Sequence, residues 1–199
     1  MPDRTRTHFN MSAAADATKL RETFGEKILE TTEFRGEQTV KVSLGSLHEV
    51  LAKCRKGLGY EMILDISSVD HFGDDPRFEM VYEIATLDDS KHLRVKAAVS
   101  EDESVASVTD LWVGADWHER EVWDMMGIPF TGHPNMKRIL MWEGYPFFPL
   151  RKDFPLAGRP TEMPDVASTG VAPLEGGPFV TVSSSDDVSR REPRARVVE

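Results

Sequence analysis

Pro129, Pro134, Pro146, Pro149 and Pro155 interrupt a segment that is otherwise strongly apolar. Each proline removes a backbone donor and fixes φ, so neither a long helix nor a central strand can cross 129–155, although Met136 to Trp142 has room for a short element. Yet Phe130, Met136, Ile139, Leu140, Met141, Trp142, Tyr145, Phe147, Phe148, Leu150, Phe154 and Leu156 are too apolar for a free loop. This ribbon therefore needs a host. Part of it can lie on the chain's own sheet, and a surface rich in Trp, Tyr, Phe, Met and Arg is also what interface cores favour.

The ribbon follows a short charged helix. Asp116 reads as an N-cap with Glu119 at the reciprocal capping-box position, and Gly127-Ile128-Pro129 is a stop, predicting a helix over 117–126. At about 100° per residue, Val122, Trp123, Met125 and Met126 share one arc, while Arg120, Glu121 and Asp124 lie on the other. Glu119 projects from the apolar arc, so it is either used in the cap or buried against a cation. Arg120 and Asp124 have the spacing of an exposed i,i+4 pair.

Upstream, the pattern is regular. Asp16 reads as the cap of a helix carrying Leu20 and Phe24, with Gly25 as its stop, and Lys27 to Arg35 with Gln38 to Ser43 read as a hairpin about Gly36. Ser46 with Glu49 has capping-box spacing ahead of Leu47, Val50, Leu51, Cys54 and Leu58, which recur at helical spacing. Strands are predicted over 62–72, 78–87 and 93–99, joined by short turns at Gly73 to Pro76 and Asp88 to Ser90, so neighbours pair antiparallel. Glu101, Asp102 and Glu103 read as a solvated turn. The fold class is α+β: a two-layer domain with helices packed on a mostly antiparallel sheet, followed by an extended proline-rich C-terminal segment. Residues 1–15 read as a flexible tail, 16–156 as the domain, with 115–156 its helix and ribbon, and 157–199 as an extended or disordered tail, in which Gly176 to Val182 has the makings of a strand for a partner's edge.

At 199 residues and 40% hydrophobic, one sizeable core is affordable. A net charge of -10 and a pI of about 5.1 weigh against a nucleic-acid partner, because phosphate binding runs on Lys and Arg. No apolar run approaches the roughly 20 residues of a membrane span. Cys54 is the single cysteine, lies on the apolar stripe of its helix, and reads as a core residue. There is no Gly-rich phosphate loop: Gly57-Leu58-Gly59 follows a helix, where the dinucleotide fingerprint follows a strand.

The charged residues carry a longer pattern. Glu119, Arg120, Glu121, Asp124, Met125, Met126, Gly127, Ile128, then Phe130, Gly132, His133, Pro134, Arg138, Ile139, Leu140, and later Leu150, Arg151, Lys152, Asp153, Phe154 and Pro155 resemble the signature of the C subunit of proton-pumping NADH:quinone oxidoreductase, the 30-kilodalton hydrophilic-arm subunit family of respiratory complex I. A looser resemblance reaches back to about Leu20. The chain departs from the family pattern after Gly144, where Tyr145 stands in place of histidine and Phe147, Phe148 and Pro149 are inserted.

The resemblance implies a cofactor-free subunit whose FMN, iron–sulfur clusters and quinone reside in partners. Those partners are the D-type subunit that carries the quinone site and other hydrophilic-arm subunits. It also implies a peripheral position at the cytoplasmic face of the bacterial plasma membrane, with membrane contact only through the complex. Glu119, Arg120, Glu121, Asp124, Arg138, Arg151, Lys152 and Asp153 are then structural and interfacial charges, with Gly127, Gly132, His133 and Pro134 shaping and lining the turns between them. Arg120 and Arg151 are expected to make bidentate carboxylate contacts, one of them with Glu119 or Glu121. Membrane-bound hydrogenases and formate hydrogenlyase-type complexes carry a homologous domain and form the nearest alternative. Two remoter readings use other residues. A metal hydrolase would recruit His71, His118 and His133 with Asp70 or Asp124, and a single-strand nucleic-acid site would use Lys137, Arg138, Arg151 and Lys152.

Overall fold

The computed structural model describes residues 4–88 and 90–155, with side chains from Ala13 onward, and the backbone of two short strands beyond them. It divides into two units, residues 1–143 and 144–199.

The first unit runs α1 (Arg4–Phe24), β1 (Ile28–Phe34), β2 (Glu37–Val42), α2 (Leu47–Gly57), β3 (Met62–Asp70), β4 (Phe78–Ala85), β5 (His92–Val99), β6 (Val105–Ala106), α3 (Ala115–Met126) and β7 (Phe130–Thr131). Five strands form one sheet in the order β1-β2-β5-β4-β3. Neighbours are antiparallel except for the parallel pair β2–β5. The expected hairpin is present, and its turn residues Arg35 and Gly36 have φ of 53° and 87°, the type I′ geometry that suits the right-handed strand twist.

Period-two alternation assigns the sheet's two faces. Val40 and Val42, Leu93, Val95, Ala97 and Val99, and Phe78, Met80, Tyr82 and Ile84 are buried in one cluster with Leu20 of α1, Leu47, Val50, Leu51 and Cys54 of α2, and Val122, Met125 and Met126 of α3. The other face carries charge. Glu79 takes ion pairs from Lys41 at 3.1 Å and Lys96 at 2.7 Å, and Arg94 bridges Glu83 and Glu37. Helices on one face and solvated ion pairs on the other make the two-layer α+β arrangement that the alternation predicts.

Several local expectations are corrected. Asp16 caps nothing: α1 continues upstream from it to Arg4, into the stretch whose composition predicts a tail, and the Ala13-Ala14-Ala15 run favours helix there. Asp16 is buried and meets Lys91 Nζ at 2.8 Å and Lys19 Nζ at 3.0 Å, tying α1 to the β4–β5 turn. Ser46 ends a 3₁₀ turn with φ -106° and ψ -1°, not the extended backbone a capping side chain needs, and Glu49 pairs with Lys27 at 2.7 Å. Glu101 is more than a solvated turn residue. It accepts from Arg77, whose guanidinium also clasps buried Asp70.

In the second unit, Phe147 meets Tyr145 edge-on at 5.7 Å and Phe154 at 6.1 Å, and Arg151 stacks 4.7 Å from the Phe148 ring centre. The N–H of Arg151 donates to the Phe148 carbonyl and that of Phe154 to the Arg151 carbonyl. Val166–Ala167 (β8) and Gly170–Val171 (β9) pair antiparallel. The tail expected over 157–199 otherwise lies outside the described residues, the strand considered at Gly176 to Val182 included.

Candidate partner-docking site

Helix α3 leaves a continuous run of turns, with the N–H groups of Leu111 and Trp112 on the Val108 carbonyl and that of Ala115 on the Trp112 carbonyl. Its cap position is therefore Gly114, without a side-chain cap, and Asp116 sits inside the first turn, where the helix dipole favours a negative charge. At the other end Gly127 adopts φ 76° and donates its N–H to the Trp123 carbonyl, the left-handed stop that the sequence predicts. Ile128 and Phe130 then enter the core, β7 pairs parallel with β6, and Gly132 at φ 84° turns the chain back along α3.

Asp124 is the centre of the site. It belongs to the polar arc, yet its side chain is wholly buried, because residues 136–142 fold over it. One carboxylate oxygen takes Arg138 at 2.5 Å, and the other accepts three consecutive backbone N–H groups: Ile139 at 3.0 Å, Leu140 at 2.7 Å and Met141 at 2.8 Å. Burial disfavours the charge, but the Met141 and Leu140 N–H groups, the Arg138 guanidinium and the Ile139 N–H together hold this carboxyl below the ordinary aspartate range. No regular element forms over 136–142; one carboxylate supplies the acceptors that a helix or strand would have provided. Met136 and Met141 thereby pack against the core, giving part of the ribbon an intramolecular host.

Arg120 works beside it, differently from the expected bidentate carboxylate contact. Its Nε donates to the Lys137 carbonyl at 3.0 Å and an Nη to the Arg138 carbonyl at 3.2 Å, while its nearest carboxylate oxygen belongs to Asp116 at 3.8 Å. Its guanidinium stacks 5.0 Å from the Trp117 ring, as that of Arg138 does 5.5 Å from Trp123. The expected Arg120–Asp124 pair is replaced by two separate ties to the same ribbon.

Glu119 is fully buried. It does not serve as a cap: its Oε1 accepts the Val108 N–H at 2.7 Å, and its Oε2 lies 4.0 Å from His133 Nε2. Burial pushes the carboxyl above the ordinary glutamate range, against the Val108 N–H and the Ser107 hydroxyl. The His133 side chain is also buried. Glu121 and Pro134 are exposed, and Arg151, Lys152 and Asp153 lie in the second unit. Sequence reasoning missed Val108 and Tyr82, which border Glu119 but lie in other elements and share no local pattern with it.

The remoter readings assign these residues elsewhere. Asp70 holds Arg77, His118 lies 3.2 Å from Asp65, Asp124 holds Arg138, and among the described residues no three or more His, Cys, Asp or Glu side chains are grouped to hold a metal ion. Nor, among them, is any helix long and apolar enough to cross a membrane.

Residues 40–160, which contain α3 and the whole ribbon, match the family model of the respiratory-chain NADH dehydrogenase, 30 Kd subunit. The chain is 46% identical over 145 residues to the C subunit of NADH-quinone oxidoreductase from Citrifermentans bemidjiense, covering 72% of this chain and 90% of that one. The corresponding protein of Geobacter sulfurreducens is 40% identical over 146 residues, covering 72% and 90%. The C/D subunit of NADH-quinone oxidoreductase from a Sulfurihydrogenibium species is 40% identical over 157 residues, 77% of this chain and 27% of that longer one. Among solved structures, a chain of the membrane-bound sulfane sulfur reductase, an archaeal respiratory membrane complex, superposes with a TM-score of 0.63 at 21% identity over 72% of this chain and 85% of that one, a likeness of fold. With more than half its length inside the family model and 46% identity over the 145 residues it shares with a relative matched along most of that relative's length, the chain belongs to the 30 Kd subunit family of respiratory-chain NADH dehydrogenase, alongside the C-subunit proteins of NADH-quinone oxidoreductase.

Proposed function

We propose that this chain is a cofactor-free, non-catalytic subunit of a proton-translocating NADH:quinone oxidoreductase, peripheral on the cytoplasmic side of the bacterial plasma membrane. Its work is to hold the D-type, quinone-site subunit in position, so that electrons from NADH reach quinone through flavin and clusters carried by other subunits. The observation that carries this reading is the use of the signature charges: Asp124, Arg138 and Arg120 fix the backbone of residues 137–141. Groups engaged in shaping a surface suit a docking element better than a reaction centre.

Two further observations support it. Val113, Trp117 and Leu140 remain 87%, 62% and 61% exposed, and Trp backed by Arg is the composition of interface anchors. The Sulfurihydrogenibium relative carries a C/D name and a chain far longer than the matched region, so C and D parts share one polypeptide there. Parts joined covalently in one organism are good candidates for a lasting interface in another.

The test is affinity purification of the native full-length chain from detergent-solubilised membranes. A quinone-site subunit lacking nickel-ligating cysteines is the expected companion. A companion that possesses them would move the chain to a hydrogenase complex, and a monomer free of redox subunits would overturn the reading.

A further inference from the structure

Glu119 sits among groups from three other parts of the first unit. Its own helix supplies Asp116, the segment before α3 supplies the Val108 N–H and the Ser107 hydroxyl, β4 supplies the buried Tyr82 hydroxyl, and the turn after β7 supplies His133. Arg120 faces Asp116 on the outer side, 3.8 Å away. The carboxyl's hydrogen-bond donors are neutral, the Val108 N–H on Oε1 foremost; Oε2 and the Tyr82 hydroxyl are buried without a hydrogen-bond partner among the described residues.

The imidazole does not supply the missing cation. The Asn135 N–H donates to His133 Nδ1 at 3.0 Å, so Nδ1 is an acceptor and holds no proton in this arrangement. The remaining proton is on Nε2, which lies 3.3 Å from the Asp116 carbonyl and donates to it. A doubly protonated ring would set one donor against another at Nδ1. With the ring neutral, an ionised Glu119 is a buried charge with neutral donors at one oxygen and, among the described residues, no hydrogen-bond donor at the other, which a folded interior does not tolerate cheaply.

We propose that Glu119 stores a proton as a neutral carboxylic acid while the His133 side chain of the Gly132–Pro134 turn covers it, so that opening of the turn to water is coupled to proton release. When the turn lifts, His133 leaves, water reaches Oε2, and the O–H bond breaks heterolytically to give carboxylate and a solvent proton. Closing reverses the step. Gly132, at φ 84°, is the point about which the turn folds back.

The linkage has a definite sign. A carboxyl that stays protonated in the fold stabilises it fully below its unfolded value of about 4.3, and that contribution is lost as pH rises through the folded value. In the full-length chain, equilibrium unfolding of wild type and Glu119→Gln is to be compared from about pH 4.5 to about pH 9. The folding constant of wild type is expected to fall relative to the variant, approaching tenfold per pH unit between the unfolded and folded values. Parallel profiles would overturn the proposal. A second measurement needs no variant: with glutamate carboxyls ¹³C-labelled in wild type, the Glu119 resonance, identified by its contact with the Val108 N–H, should remain in its protonated position after the other glutamates have titrated. Titration of every glutamate in the ordinary range would refute it.

Discussion

The Asp124 carboxylate of α3 and the Arg138 guanidinium of the ribbon lie 2.5 Å apart, and the aspartate side chain is wholly buried. The remaining oxygen of Asp124 takes three backbone N–H groups in a row, so this pair is the junction at which a helix dictates the path of a segment with no secondary structure of its own. Asp124→Ala removes these four side-chain contacts, the carboxylate facing the Arg138 guanidinium among them, and keeps the bond from Arg138 to the residue-124 carbonyl. It is expected to cost about 3 to 5 kcal/mol, whereas Asp124→Asn, which keeps an acceptor for the ribbon, should cost less. Urea unfolding of the full chain measures both.

The same carboxylate predicts acid sensitivity. Because its folded value is held below that of the unfolded chain, Asp124 contributes stability that is present above an unfolded value of about 3.9 and is lost as pH falls through the folded value. Hydrogen exchange at the Ile139, Leu140 and Met141 amides should therefore show protection falling on acidification below about pH 4, and Asp124→Asn should remove that acid dependence. Undiminished protection in the wild type down to about pH 2 would contradict it.

Arg120 separates structure from chemistry. Arg120→Ala deletes two donors to the carbonyls of Lys137 and Arg138 and the stack on Trp117, and should cost about 1 to 3 kcal/mol. The amount of assembled complex in membranes should fall more than turnover per assembled complex. Normal assembly with lost turnover would instead assign Arg120 a part in catalysis.

Cys54 should be inert in the native chain. It has no exposed surface, and burial, followed by the neighbouring Asp16 charge, pushes its thiol up to about 12. Maleimide labelling at about pH 8 is expected to require unfolding, so its rate should follow the unfolded population. Rapid stoichiometric labelling of folded protein would place the thiol outside the core.

Gly127 stands at φ 76°, a conformation that costs other L-residues roughly 1 to 2 kcal/mol. Gly127→Ala should lower stability by about that amount, read as a shift in the urea midpoint at unchanged slope.

Local periodicity determined much of this protein. Alternation located β1 to β5, the recurrence of Leu47, Val50, Leu51 and Cys54 placed α2 and buried the cysteine, and Gly127 before Ile128-Pro129 ended α3, because each of these signals acts within a few residues. The signature residues also declared the family from the sequence alone. The capping boxes failed for a physical reason: Ser46 and Asp116 have the right spacing, but the chain reaches them in turns whose backbone geometry leaves no place for a capping side chain. Pairing β2 with β5, placing Asp16 beside Lys91 and bringing Val108 to Glu119 required contacts between distant segments, which no local pattern encodes. The ribbon shows the division most plainly. Its prolines and apolar residues established that it needed a host, while only the tertiary fold decided that Asp124, on the nominally polar arc of α3, would turn inward and become the acceptor for its backbone, since burying that charge is tolerable only with Arg138 and three N–H groups converging on it.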